Sequence, residues 1–329
     1  MSGGRSEDAL IAELRAVIGA APRRTVRLGI GDDAAIWRPS RAHESVITTD
    51  ALVEDVHFSL AMAPEAIGHR ALAANLSDIA AMGARPVLAT IALGVNARSN
   101  DDWIVRAYRG MTALAVKHRC ALAGGDITRS PAITFAITVV GEVRASNVKR
   151  RDGARAGDSI FLSSALGLSH AGLLLGRDPA PGVSSAVAAA ACAAYEMPEP
   201  QIAEGRFLAA SRNVHALMDT SDGLSTDLAR LCAASCVAAR LETIPVDPAA
   251  QVIASARGDD PEAYALGGGE DFALLGSVDS RAFAHIAARF AARFGRKLHN
   301  VGTITKGAGV QLADGSLVPR TGWDHLLGN

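Results

Sequence analysis

The sequence predicts an α/β protein of the α+β type, built as two α/β domains with mixed sheets. Three observations carry that reading. The 329 residues, 49% hydrophobic and 20% charged, suffice for two cores of ordinary size. Short apolar strands alternate with amphipathic or Ala-rich helices through both halves. A polar stretch from Arg144 to Asp158, with four arginines and Asp-Gly and Gly-Asp pairs, reads as a connection, placing the domains at 1–148 and 149–329.

In chain order, an amphipathic helix is expected over Glu7 to Ile18, then a strand Val26 to Ile30 and a loop at Gly31-Asp32-Asp33. A second strand, Ser45 to Thr49, ends on Asp50. Pro64 suits the first turn of a helix that runs to Met82 and stops at Gly83. A strand Val87 to Leu93, a helix Asp101 to His118, a short strand into Gly124-Gly125-Asp126 and a strand Ile133 to Val140 complete the first half. In the second half, strands are expected at Ser159 to Ser163, Val214 to Met218 and Phe272 to Val278. Ser185 to Ala194 is so rich in Ala that a packed helix is the natural reading.

Thirty-three basic residues balance 34 acidic ones, so no charge excess points to a nucleic acid or a membrane surface. Only four of the basic residues are lysines, and an anionic substrate must rely on arginine, backbone amides or metal ions. Cys120, Cys192, Cys232 and Cys236 form no CxxC pair and read as small core residues in a reducing cytoplasm. The first residues hold no long apolar segment, so a soluble cytoplasmic protein is expected.

Gly29-Ile-Gly31-Asp32-Asp33-Ala34 satisfies the dinucleotide pattern G-x-G-x-x-A, but two carboxylates stand where a pyrophosphate needs amides. A hard cation such as Mg²⁺ suits the loop better. Thr48-Thr49-Asp50 offers two hydroxyls and a carboxylate. On the helix after Pro64, Ile67, Ala71, Ala74, Asp78 and Met82 recur at helical spacing, which puts Asp78 on an apolar face where a charge needs a partner. Gly124-Gly125-Asp126 combines close backbone approach with a carboxylate; Asp219, Ser221 and Asp222 precede a helix; Gly267-Gly268-Gly269-Glu270-Asp271 is a flexible acidic loop. Read alone, each also fits a plain turn or cap. Together, and with no Walker lysine motif, they point to several Mg²⁺ ions handling phosphates.

In this order Gly-Ile-Gly-Asp-Asp-Ala, Thr-Thr-Asp-Ala-Leu-Val-Glu-Asp-Val-His-Phe, Asn-Leu-Ser-Asp-Ile-Ala-Ala-Met-Gly-Ala, Gly-Gly-Asp-Ile-Thr, Ser-Asp-Gly-Leu and Gly-Gly-Glu-Asp resemble the thiamine-monophosphate kinase family over nearly the whole chain. The resemblance implies ATP-dependent phosphorylation of thiamine monophosphate to thiamine diphosphate. It implies Mg²⁺ ligands at Asp33, Thr48, Thr49, Asp50, Asp78, Asp126, Asp219 and Asp222, of which Asp126, Asp219 and Asp222 serve the transfer itself. Gly125, Asp126, Arg151 and Ser221 would contact ATP, and His57, Glu270 and Trp323 the thiamine substrate. The N-terminal sheets of two subunits would pair into a homodimer whose cleft holds ATP, completed by the C-terminal domain. The family usually has Gly at Asp55, Thr at Ile127 and Tyr-Glu at Phe272-Ala273. Relatives with other chemistry use a C-terminal or an early cysteine, whereas this chain ends in Gly-Asn and its first cysteine is Cys120.

Overall fold

The computed structural model describes residues 7–19, 25–30 and 34–323. Contacts divide the chain into two units, Met1–Ile79 with Ala84–Ala145, and Ala80–Gly83 with Ser146–Asn329.

The first unit contains α1 (Glu7–Ile18), β1 (Val26–Leu28), β2 (Ile36–Trp37), β3 (His43–Val53), α2 (Pro64–Ala81), β4 (Arg85–Val95), α3 (Asp101–His118), β5 (Ala121–Arg129) and β6 (Thr134–Arg144). β3, β6, β4 and β5 form one sheet in that order, parallel only between β4 and β5. Side chains alternate between its faces. One face carries Phe135, Ile137, Val139, Ile91 and Leu93, all buried. There Trp103 of α3 lies 6.2 Å from the Phe135 ring. The other face presents Ile47, 66% exposed, with Thr49, Ala51 and Ala92 exposed and Ala136 and Thr138 half-buried.

α2 is held against α3 by contact of their backbones. A Cβ at Gly68 would lie 1.9 Å from the Ala107 carbonyl oxygen, and one at Gly110 equally close to that of Glu65. Beside this crossing, Arg106 donates to both Glu65 oxygens at 2.7 and 2.9 Å. α3 begins where Asn100 accepts the Trp103 N–H at 2.8 Å, an N-cap that satisfies one orphan donor.

The second unit contains β7 (Asp158–Leu162), α4 (Leu168–Arg177), α5 (Ser185–Glu196), α6 (Ile202–Ala209), β8 (Val214–Asp219), α7 (Leu224–Ser235), β9 (Ala238–Leu241), α8 (Pro248–Arg257), α9 (Pro261–Gly267), β10 (Leu274–Asp279), α10 (Ser280–Phe294), β11 (His299–Thr305) and β12 (Gly309–Leu312). Its six-stranded sheet runs β12-β9-β11-β7-β10-β8 and is antiparallel except between β12 and β9. The main core packs α7 on this sheet through Leu224, Leu228, Leu231, Met218 and Ile304. Phe207 of α6 meets Phe290 and Phe294 of α10 in a separate aromatic group.

Several expected boundaries move. β3 extends to Val53, because Ala51, Leu52 and Val53 continue pairing with β6, so Thr48, Thr49 and Asp50 lie inside the strand rather than at its end. Phe272 adopts φ 47° and β10 starts only at Leu274. α2 is buried nearly all round, and Ala74, Asp78 and Met82 form its partly open stripe, so Asp78 sits on the least buried face of that helix. Cys236 is exposed at the left-handed C-cap of α7, unlike buried Cys120 and Cys232.

Substitution at the α2–α3 contact tests what holds α2. Gly68→Val is expected to lower stability by about 3 kcal/mol or more, since two backbones must separate. Gly176→Ala in α4, where a Cβ meets nothing within 4 Å, is expected to raise it by about 0.5 to 1 kcal/mol. Thermal unfolding of both variants is the check.

Candidate active site

Strand alternation sorts the acids of the first unit. Thr48 and Asp50 fall on the face of β3 that meets α2. The Thr48 hydroxyl donates to Asp78 Oδ2 at 2.5 Å, and the Asp50 N–H donates to Asn75 Oδ1 at 3.1 Å. Asn75 is oriented in turn by donating to the Ala71 carbonyl. Burial, and then the charge of Asp78, push the Asp50 carboxyl up to about 6. Two carboxylates that resist ionising together, beside a hydroxyl, form a donor set suited to a hard cation.

Thr49 points to the opposite face, where its hydroxyl lies 2.8 Å from that of Thr138. Asp126 shares that open face with Ala51, Ala136 and Ala92, and it is exposed on β5. β3 and β5 are opposite edges of the sheet, separated by three strand spacings, about 14 Å. Within one chain, Asp126 and the Thr49 side chain therefore do not join Thr48, Asp50 and Asp78. Gly125 has a packing reason to be glycine, since a Cβ would lie 1.9 Å from the Ile91 carbonyl oxygen. Asp33 lies outside the described residues.

His57 sits in the turn after β3, where its Nδ1 accepts the Val53 N–H at 3.1 Å, so the neutral ring carries its proton on Nε2. Asp55 adopts φ 64°, the left-handed region, which explains why glycine suits this position in the family that the sequence resembles.

In the second unit, Asp219 ends β8 and Ser221 and Asp222 follow in a loop that buried Asp227 organises. Asp227 Oδ2 accepts the N–H groups of Ser221 and Asp222, each at 3.0 Å. Burial pushes the Asp227 carboxyl up to about 6, with the Asp222 charge adding to it against the backbone donors and Arg230. Arg230 bonds Asp222 and, at 2.9 Å, Asp227 Oδ1. Asp222 does not cap α7, whose N-cap residue Gly223 carries no side-chain bond. Sequence reading missed Asp227 and Arg230; the available signal was an acid flanked by Leu224, Leu228 and Leu231, with Arg230 three residues after it.

The Glu270 loop is tied to the same segment. The Glu270 N–H donates to the Ser221 carbonyl at 2.8 Å, and that of Phe272 to the Thr220 carbonyl at 3.0 Å. Glu270 and Phe272 both adopt positive φ. Between them half-buried Asp271 accepts the N–H groups of Gly167 at 2.6 Å and Ser169 at 3.1 Å, while desolvation pushes its carboxyl up to about 7. The Trp323 N–H reaches the Asp222 carbonyl at 3.2 Å, and the Trp323 side chain is 40% exposed. Ser221, Asp222, Glu270 and Trp323 thus share one neighbourhood with Asp219. Arg151 does not: its carbonyl accepts the hydroxyl of Ser235, the last residue of α7, about 18 Å along the helix from its start.

Among the described residues, no group of three His, Cys, Asp or Glu side chains forms a complete metal cage. The paired carboxylates still fit Mg²⁺, which is normally bound by one or two carboxylates together with waters and substrate phosphate.

An architecture of two α/β units, each with strand- or loop-borne acids, defines a class. The family described as AIR synthase related protein matches through its N-terminal domain over residues 31–143 and its C-terminal domain over 155–315. The thiamine-monophosphate kinase of Synechococcus elongatus is 40% identical over 253 residues, 74% of this chain and 75% of its own. The crystal structure of thiamine-monophosphate kinase from Stenotrophomonas maltophilia superimposes with a TM-score of 0.85 at 35% identity, over 95% of this chain and 98% of that one. AaThiL complexed with AMPPCP and TMP superimposes with a TM-score of 0.77 at 29% identity, over 99% and 100%. This chain belongs to the thiamine-monophosphate kinase family of AIR synthase related proteins.

The raised Asp50 carboxyl has a consequence for metal-free protein. A folded-state value above the unfolded 3.8 means that stability falls as pH rises from about 4 to about 6, because the folded state must give up a proton it holds more tightly. Asp50→Asn removes this term. In EDTA the variant is expected to gain on the wild type between pH 4 and pH 8 by up to about 3 kcal/mol, read from denaturant unfolding at both pH values.

Proposed function

We propose that the chain is a thiamine-monophosphate kinase, an ATP-dependent phosphotransferase that makes thiamine diphosphate by direct in-line transfer onto the substrate phosphate. The observation that carries this is the Thr48, Asp50 and Asp78 group, a donor set suited to a hard cation, in a chain whose relatives bear that name and superimpose over nearly their full length. The complex of AaThiL with AMPPCP and TMP supports ATP and thiamine monophosphate as the two substrates.

The acceptor is already a phosphate anion, so no strong general base is needed, and positioning with charge neutralisation suffices. In the first unit, Thr48, Asp50 and Asp78 would hold Mg²⁺, and Asp33, Thr49 and Asp126 are assigned the same role by family likeness. In the second unit, Asp219 and Asp222 would do so. When bound, Mg²⁺ supplies charge neutralisation between two polyanions and stabilises the transferring group. Asp227 keeps the Ser221 and Asp222 amides aimed, and Arg230 holds the Asp222 carboxylate in place. Family likeness assigns ATP contact to Gly125 and Asp126 of the first unit and to Arg151 and Ser221 of the second, and substrate contact to His57 of the first and to Glu270 and Trp323 of the second; an indole suits a cationic thiazolium. The four free cysteines accord with a reducing cytoplasm.

A homodimer forms through the open sheet face of the first unit. Its support is the small and apolar surface of Ile47, Ala51, Ala92 and Ala136, together with the placement of Asp126 there, away from its own chain's Asp50. Ala92→Arg is expected to turn the dimer into a monomer in size-exclusion chromatography with light scattering. A monomeric wild type would refute the pairing.

Incubating the chain with ATP, thiamine monophosphate and Mg²⁺ is expected to yield thiamine diphosphate and ADP in equal amounts. Binding or hydrolysis of ATP without thiamine diphosphate would overturn the reading. Asp222→Asn keeps the size of the side chain and removes the charge, and kcat is expected to fall about a hundredfold or more. Without Mg²⁺ the melting temperature of that variant should rise little, because Arg230 already balances the Asp222 charge. Near-normal turnover would remove Asp222 from the catalytic residues.

A further inference from the structure

The second unit carries a cavity that the kinase chemistry does not use. α6 and α10 border a space of about 500 Å³, within the range of small-molecule sites, lined among others by Arg206, Phe207, Asn213, His285, Arg289 and Arg293 and by no Asp or Glu. Asn213 precedes β8 and Asp219 ends it, so six residues of strand, about 20 Å, separate the cavity from the acidic loop.

The cations here converge without compensation. The guanidinium carbons of Arg289 and Arg293 lie 5.6 and 6.0 Å from the centroid of one Phe207 ring, and Arg293 also lies 5.6 Å from that of Phe294. Aromatic faces hold cations but do not neutralise them. Arg289 and Arg293 stand four residues apart on α10, a spacing at which like charges cost a helix stability unless something lies between them, and His285 lies one turn before Arg289. Neighbouring acids are committed elsewhere, Glu204 to Arg296 at 2.7 Å and Asp279 to Arg281 at 2.8 Å. Among the described residues, Arg206, Arg289 and Arg293 take part in no ion pair. Behind the loop, Lys149 Nζ adds a further cation, bonded only to the Ser211 and Val214 carbonyls at 2.9 and 2.7 Å. All this occurs in a chain of net charge -1.

We propose that this cavity binds a small phosphorylated anion at a site separate from the acidic clusters. Guanidinium forks match phosphate oxygens in pairs, and Phe207 keeps two of them oriented before the anion arrives. The shared chemistry is a terminal phosphate, which inorganic pyrophosphate, ADP and thiamine diphosphate all carry. The proposal stands whether or not the chain is a kinase.

Calorimetric titration of the full chain in EDTA with each of these three anions is the test, because the acidic clusters repel phosphate when metal is absent. Wild type and Asp222→Asn are expected to bind one equivalent of at least one anion, and the tightest identifies the source. Arg289→Gln/Arg293→Gln, which removes both guanidinium groups over the Phe207 ring, should weaken that binding at least tenfold while turnover at saturating substrate stays unchanged. Arg206→Gln, at the opposite wall, should weaken it several-fold. Absence of heat with all three anions, or equal affinity in wild type and double variant, would overturn the proposal.

Discussion

Asp50 and Asp78 have to be held side by side at the edge of a dry core, and much of the first unit is arranged around that requirement. Neither carboxylate can move away. Asp50 is fixed by the register of β3 on β6 and by its N–H bond to Asn75, while Asp78 is fixed by Thr48 and by a helix whose backbone is locked against α3 at Gly68 and Gly110. Burial, and then the charge of Asp78, disfavours the ionised Asp50 carboxylate in the folded chain. A bound cation would relieve this, and the same rigidity would make the pair a preorganised ligand set under the proposed function.

The second unit solves the same difficulty with different means. Its acids sit at a strand end and on the loop that follows, held by the carboxylates of Asp227 and Asp271, which accept backbone donors. Asp227 accepts two amides of the acid loop, and Asp271 accepts two at the start of α4, so the Glu270 segment and the Asp222 segment are pinned from both sides and bonded to each other. Arg230 occupies the Asp222 carboxylate in the absence of metal. Such a positioning shell keeps reacting groups within the tolerance that phosphoryl transfer requires.

Helix limits were legible in the sequence where periodicity is strong: α1 and α3 span Glu7–Ile18 and Asp101–His118, as expected. The residues of the acid loop were legible as motifs. What the motifs did not carry is which side of a sheet a residue faces, because that depends on pairing register. Thr48-Thr49-Asp50 reads as a strand end, yet β6 continues to pair beyond it, and a one-residue offset sends Thr49 and Asp126 to the open face. Glycines mislead in a similar way, since Gly125 is explained by contact with β4 before any ligand is considered. Asp227 escaped notice, and Asp271 read only as part of a flexible acidic loop, because both act mainly by accepting backbone amides, which leave no pattern of side chains to read.

If the paired acids exist to bring cations to phosphate, the chain must bind more Mg²⁺ than the nucleotide brings with it. Equilibrium dialysis with a non-hydrolysable ATP analogue at saturation counts the ions directly. The account predicts two or more Mg²⁺ per chain for each bound analogue; a single ion per nucleotide, unchanged at high free Mg²⁺, would contradict it.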